Sequence, residues 1–188
     1  MDALMGALVA ALLAQASDRP AWMAARIADQ FSRRGAVIVG VALALGISNA
    51  LGAAGGALIA PMMTPNARAL LLGLALLSAG ASACWPPKPL PQSGGATLGA
   101  SATAFILLLA TSLGDRTQFL TAAIAVRSDL PVYSAIGATL GGLAIHIPAI
   151  LAGSKGKQRL PLHAIRIAIA LVLLLAGSVA VLSAMRLI

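Results

Sequence analysis

The stretch Trp85-Pro-Pro-Lys-Pro-Leu-Pro-Gln-Ser-Gly-Gly95 decides how this chain is divided. Its prolines lack the N–H that a helix ladder requires and its glycines favour turns, so no helix runs through it. On both sides the sequence opens into long uncharged runs, over 35–67, 69–87, 89–114, 130–154 and 167–185. Each approaches or exceeds the ~20 residues a helix needs to cross a bilayer. The N-terminal run, 3–17, is shorter, but its apolar pattern continues past Asp18 and Arg19 through Trp22, Met23 and Ile27, giving a sixth, interrupted span. The predicted spans are 2–27, 36–60, 66–84, 97–126, 131–152 and 163–185, three on either side of the linker. The expectation is an all-α integral membrane protein with six transmembrane helices: a first three-helix repeat over 1–84, a linker over 85–96 and a second repeat over 97–188.

Composition closes off the competing classes. Of 188 residues 60% are apolar and 10% charged, which leaves too little polar surface for a water-soluble domain. Thirteen Lys and Arg stand against five Asp and no Glu, yet aromatics are only 3% and the charges lie singly between apolar runs. They read as topology signals and not as a nucleic-acid surface. Strands are implausible, because no ten-residue alternation occurs and Ala, Leu and Gly dominate. A single cysteine, Cys84, and two distant histidines, His146 and His163, exclude a disulfide scaffold and a zinc enzyme. A cleaved signal peptide is not expected, since Asp2 is the only early charge. No nucleophile, base and orienting group can be assembled, so an enzyme is not expected, nor a resident cofactor.

The turns after the first, third and fifth spans hold Arg33 and Arg34, Lys88, and Lys155, Lys157 and Arg159; the opposite side holds mainly Arg68, Arg127 and Arg186. The first set is expected in the cytoplasm, which makes the linker cytoplasmic and puts both termini outside. His163, Arg166, Gln30, Trp22, Trp85 and Tyr133 fall near span ends and read as interfacial anchors.

The halves share a motif. Gln15-Ala-Ser-Asp18-Arg19-Pro20 in the first span matches Ser112-Leu-Gly-Asp115-Arg116-Thr117 in the fourth, the two Asp-Arg pairs lying 97 residues apart. Three spans per half force the second half to enter the membrane from the opposite side, so the repeats are inverted, as in many secondary transporters whose substrate site lies where the halves meet. A carboxylate at mid-membrane costs about 2.5–3.5 kcal/mol on insertion scales, and two in equivalent places point to function. Gln15 and Asp18, and likewise Ser112 and Asp115, are three apart and are expected to share a helix face, while Pro20 is expected to remove an intrahelical donor and free the carbonyl of Ala16.

The run from Leu113 to Arg127, Leu-Gly-Asp-Arg-Thr-Gln-Phe-Leu-Thr-Ala-Ala-Ile-Ala-Val-Arg, with Gly137-Ala-Thr-Leu-Gly-Gly142 and Ile147-Pro-Ala-Ile-Leu-Ala-Gly153, resembles the Gdt-one family of manganese and calcium transporters, whose bacterial branch holds the MneA-type manganese exporters. That family carries Glu-x-Gly-Asp-(Lys/Arg)-(Thr/Ser) once per half. Gly114, Asp115, Arg116 and Thr117 fit the second copy, with Ser112 for Glu; only Asp18 and Arg19 fit the first, with Gln15 for Glu, Ser17 for Gly and Pro20 for Thr. Both motif glutamates are absent.

The resemblance implies a transporter of divalent cations, Mn²⁺ exported from the cytoplasm and Ca²⁺ next, with proton exchange falling to the aspartates, in a bacterial-type inner (plasma) membrane. Hard divalent ions take about six or more oxygens. The expected ligands are Asp18 and Asp115, helped by Gln15, Ser112, Thr117 and Gln118, with Arg19 and Arg116 as gating or structural partners. Ser17, Asn49 and His146 are candidate pathway-lining residues, although an interhelical hydrogen bond is the commoner role for the last two. The runs Gly52-Ala-Ala-Gly-Gly56 and 137–142 are expected to serve close packing. The expected partners are the ion and the lipid bilayer, with self-association left open. Two readings compete: a non-transporting membrane partner subunit that kept the fold, favoured by the missing glutamates, and a permease for a neutral or anionic solute, with Arg19 and Arg116 facing inward.

Overall fold

The computed structural model describes residues 2–16, 19–84, 99–156 and 162–187, and among them all regular structure is helical. In chain order the helices are α1 (Asp2–Ala16), α2 (Arg19–Phe31), α3 (Arg34–Ile59), α4 (Pro65–Cys84), α5 (Ala100–Ser112), α6 (Arg116–Ala125), α7 (Val132–Gly156) and α8 (Leu162–Ala184). A 3₁₀ turn, Ala60–Met62, closes α3. The linker, together with Lys88, Lys157 and Arg159, and with Ser17 and Asp18 of the first motif, lies outside the described residues.

Four stretches are long and apolar enough to cross a membrane as single helices: Arg34–Met62, Pro65–Cys84, Val132–Gly153 and His163–Ala184. They coincide with the second, third, fifth and sixth predicted spans. The fourth departs from expectation, because it is two helices, α5 and α6, separated by Leu113–Asp115. Leu113 leaves α5 in an extended conformation, Gly114 takes φ +76°, where a residue without a Cβ is favoured, and Asp115 starts α6 as its N-cap. Asp115 therefore does not lie inside a helix, and the shared helical face expected for Ser112 and Asp115 is not formed. The first span is likewise two helices, α1 and α2. Pro20 falls in the first turn of α2, where a helix has no backbone donor to lose, so it begins a helix and does not open one.

Chain ends of the long helices are finished by specific groups. Arg68 donates from Nη2 to the carbonyl of Ala60 at 2.7 Å and from Nε to that of Met63 at 3.2 Å, satisfying acceptors where α3 runs out. In α7, Gly153 at φ +69° kinks the last turns, and its Cβ position would lie 2.9 Å from Oδ1 of Asp29.

The packing is dominated by contacts between the halves. The α1 helix lies on α7 as α5 lies on α3; α2 meets α7 as α6 meets α3; α1 meets α6 as α5 meets α2; and α3 touches α7 while α4 pairs with α8. One departure from this exchange is α4, which also lies on α6, a contact α8 and α2 do not match in extent. Small residues make the approaches close. A Cβ on Gly52 would sit 2.8 Å from the carbonyl of Gln118, one on Gly141 2.5 Å from that of Leu8, and one on Gly177 2.8 Å from the backbone nitrogen of Leu77. This is the packing role expected of the glycine runs, and in lipid, where no hydrophobic force separates helix from solvent, such contacts hold a bundle together. Large apolar side chains, among them Leu58, Leu171, Leu175 and Val179, point outward.

Candidate functional site

The break between α5 and α6 is built by its own residues. The regular ladder of α5 ends with the Leu113 N–H donating to Leu109. The next donor, the Gly114 N–H, is taken by Oε1 of Gln118, and the Asp115 N–H turns to the carbonyl of Ser112 at 3.4 Å. Asp115 caps α6 by accepting the Gln118 N–H at 2.8 Å through Oδ1. Gln118 thus closes the turn with its backbone and side chain, and its Nε2 donates to the carbonyl of Ser48 on α3 at 3.0 Å. The Ser48 hydroxyl donates to the Ser112 carbonyl at 2.9 Å, so the broken segment is pinned to α3 from both sides.

A second set of polar groups lies one turn further along. Asn49 Nδ2 donates to Thr139 Oγ1 on α7 at 3.2 Å, and its Oδ1 lies 3.3 Å from the hydroxyl of Thr121, which also reaches the Thr117 carbonyl at 2.8 Å. Asn49 therefore joins α3 to α6 and α7, the interhelical role expected as the commoner one. On α7, His146 Nδ1 lies 2.9 Å from the carbonyl of Gly142, and a Cβ on the same glycine would lie 3.0 Å from Oε1 of Gln15 on α1.

Of the expected ligands, Asp115, Ser112, Thr117 and Gln118 gather at the α5–α6 break, with Asn49 beside them. Gln15, on α1, is buried against Gly142 of α7. Asp18 and Ser17 fall outside the described residues, and Arg19 opens α2 as Arg116 opens α6. Arg116 Nη1 donates to Ser82 Oγ on α4 at 3.3 Å. Among the described residues no three His, Cys, Asp or Glu side chains gather, so an ion at this centre would depend heavily on neutral oxygens.

Two such oxygens stand out. Gln15 Oε1 and Thr117 Oγ1 are buried, their residues 3% and 2% exposed, and neither has a hydrogen-bond partner among the described residues. An unsatisfied buried polar group costs about 1–3 kcal/mol, so each needs a reason. They stand at motif positions of different halves. A shallow depression of about 470 Å³ between α3 and α6 reaches the α5–α6 break, lined by Gly52, Gly55, Gly114, Asp115, Gln118 and Phe119. The structure also adds Ser48, Thr121 and Thr139 to the centre. Their signal in the sequence is the polar pair Ser48-Asn49 inside an apolar span and the i, i+4 spacing of Thr117 and Thr121.

An all-helical, multi-pass bundle with a broken motif helix at its centre is the architecture of a membrane transporter more than of any soluble class. Residues 100–187 match the family described as "Divalent cation/proton antiporter GDT1". Over 167 residues, 88% of this chain and 84% of the other, the sequence is 25% identical to a protein of Vibrio cholerae named "Putative manganese exporter". No solved structure matches the chain.

Proposed function

We propose that this protein is a secondary transporter that exports a divalent cation, Mn²⁺ first and Ca²⁺ second, in exchange for protons, through a midplane site between two inverted three-helix repeats. The observation that carries the reading is the pair of buried, unpartnered oxygens, Gln15 Oε1 and Thr117 Oγ1, one from each motif. Metal coordination supplies the electron-pair acceptor that each lacks.

Depth supports it. At 1.5 Å per residue α5 is about 20 Å long and α6 about 15 Å, so the break between them falls near the middle of a ~30 Å hydrocarbon core. Non-helical backbone is tolerated at that depth only where protein buries it or where it lines a cavity. The exchange pattern of helix contacts, in which α1 and α2 play toward α7 the part that α5 and α6 play toward α3, supports the inverted repeat. In the sequence Asp18 stands directly before α2 as Asp115 stands directly before α6, which supports pairing the two in one site.

On this reading the ion is held by Asp18 and Asp115, with Gln15, Ser112 and Thr117 as neutral donors, while Gln118 acts mainly by holding the turn. Arg19 and Arg116 steady the ends of their helices. Two carboxylates balance the charge of one divalent ion, and either can carry a proton when the ion leaves. The GDT1 family match and the manganese exporter relative favour the metal over an anionic solute. The charge pattern supports a cytoplasmic linker, termini on the outer side and placement in a bacterial-type inner membrane.

The test is Mn²⁺ and Ca²⁺ uptake into proteoliposomes holding wild type or the Asp18→Asn, Asp115→Asn double variant, with and without a pH gradient. Uptake that requires the aspartates and responds to the gradient is expected. Absence of uptake by correctly folded wild type would move the reading to a non-transporting partner subunit.

A further inference from the structure

A cavity of about 580 Å³ opens at the end of the bundle that carries the N-terminus of α1 and the turn between α6 and α7. Its rim is polar, with Asp2, Arg127, Asp129 and Tyr133, and its floor is apolar, with Ala10, Leu72, Leu76 and Ile124. Its size falls within the roughly 300–1,000 Å³ of small-ligand sites. The floor runs down the helices: at 1.5 Å per residue Ala10 lies about 12 Å beyond Asp2, and Leu76 about 16 Å beyond the start of α4. That equals about half the hydrocarbon thickness of a bilayer.

Gly6 adds an independent sign. It lines the same cavity, and a Cβ built on it meets nothing within 4 Å. Glycine inside a helix costs about 0.8–1 kcal/mol relative to alanine. Elsewhere in the bundle, as at Gly137 and Gly141 on α7, glycine lets one backbone approach another. Gly6 serves no such approach; what its missing side chain does is leave the cavity open.

We propose that this cavity binds one phospholipid with an ammonium headgroup, of the phosphatidylethanolamine type, with its phosphate at Arg127, its ammonium at Asp129 or Asp2 and one acyl chain along Ala10, Leu72 and Leu76. The rim carries both signs of charge within one opening, which matches a zwitterion. An anionic glycerol headgroup offers no cation to the two acids, and a choline headgroup has no N–H to donate, whereas charge-assisted hydrogen bonds are the strong ones. Tyr133 sits where aromatic side chains meet headgroups.

Native mass spectrometry of the full chain, purified and offered equal amounts of phosphatidylethanolamine, phosphatidylcholine and phosphatidylglycerol, tests this. Wild type should retain one phosphatidylethanolamine per chain. Gly6→Leu, whose Cβ would meet nothing within 4 Å and whose remaining side chain takes up space in the cavity, should lose it. Gly46→Leu is the matched control, because Gly46 also faces open space but lies outside the cavity, and it should keep the lipid. Arg127→Gln should weaken retention about fivefold, the weight of one basic residue at a membrane surface, and this arm decides the matter should Gly6→Leu misfold. Retention unchanged in Gly6→Leu, indifference to headgroup, displacement of the lipid by millimolar Mn²⁺, or a dimer that Gly6→Leu converts to monomer would each overturn the proposal. The last two would make the cavity an ion vestibule or a contact with a second copy.

Discussion

Thr117 separates structural from functional explanations better than any other single side chain of the motif. A buried hydroxyl without a partner is a liability to folding, so Thr117→Val should leave stability unchanged or raise it slightly in a denaturation assay. If the hydroxyl binds the ion, the same variant should lower Mn²⁺ transport at least about tenfold, the effect of losing roughly 1.4 kcal/mol, and Thr117→Ser should restore it. Loss of both stability and transport would return Thr117 to a merely structural role. Gln15→Glu is the converse experiment. It returns a carboxylate to a motif position and should tighten Mn²⁺ binding by about tenfold or more, measured by competition in detergent. Both residues could be singled out from the sequence by their place in the repeated motif, but their burial without partners could not, because it depends on which helix each one faces. Gln118 shows the same limit from the other side. Its neighbourhood to Asp115 was legible, whereas its bonds to Gly114 and Ser48 depend on a helix break that no periodicity announces.

At the scale of elements, the broken helix and the glycine seam are the features that matter. Four of the six predicted spans are single helices, and their lengths follow directly from uncharged runs bounded by Arg, Lys and Pro. The break at Leu113–Asp115 does not, since Leu-Gly-Asp in an apolar run is as compatible with a tolerated glycine as with a turn. Only the positive φ of Gly114 and the capping by Asp115 decide it. Gly114→Ala should therefore cost about 1–2 kcal/mol, the penalty of a Cβ in the left-handed region, although nothing lies near enough to clash with it. The α3 seam behaves differently. A side chain on Gly56 would meet the Ala122 carbonyl, so Gly56→Leu should displace α6 and abolish both folding yield and transport, while Gly46→Ala on the same helix should be neutral or stabilise by up to about 1 kcal/mol. Size-exclusion profiles and thermal unfolding of the two variants make the comparison.

For the whole molecule, the proposed orientation rests on charge bias and the even number of predicted spans, and Cys84 offers a probe already in place. It is the only cysteine, lies at the end of α4 next to the linker, and is exposed. A membrane-impermeant maleimide should label it in inside-out vesicles and leave it unlabelled in intact spheroplasts; the reverse pattern would invert the proposed topology. The linker suggests a division into two halves, but the way the helices interlock could not be read from it. Sequence suggests two bundles of three, whereas α1 lies mainly on α7 and α5 on α3.

That interlock has a consequence for synthesis in the cell. The face of α1 that carries Ala7 and Ala11 is covered by α7 around Ala138, about 130 residues later in the chain. At 5–20 residues per second the ribosome needs roughly 7–26 s to deliver that partner. During this interval the first half waits in the bilayer or at the insertion machinery with its small-residue surface uncovered, met by acyl chains or by a chaperone. Completion of the protein is then an exchange of those provisional neighbours for α7. A nascent chain arrested before Val132 should accordingly be degraded faster than one released at full length.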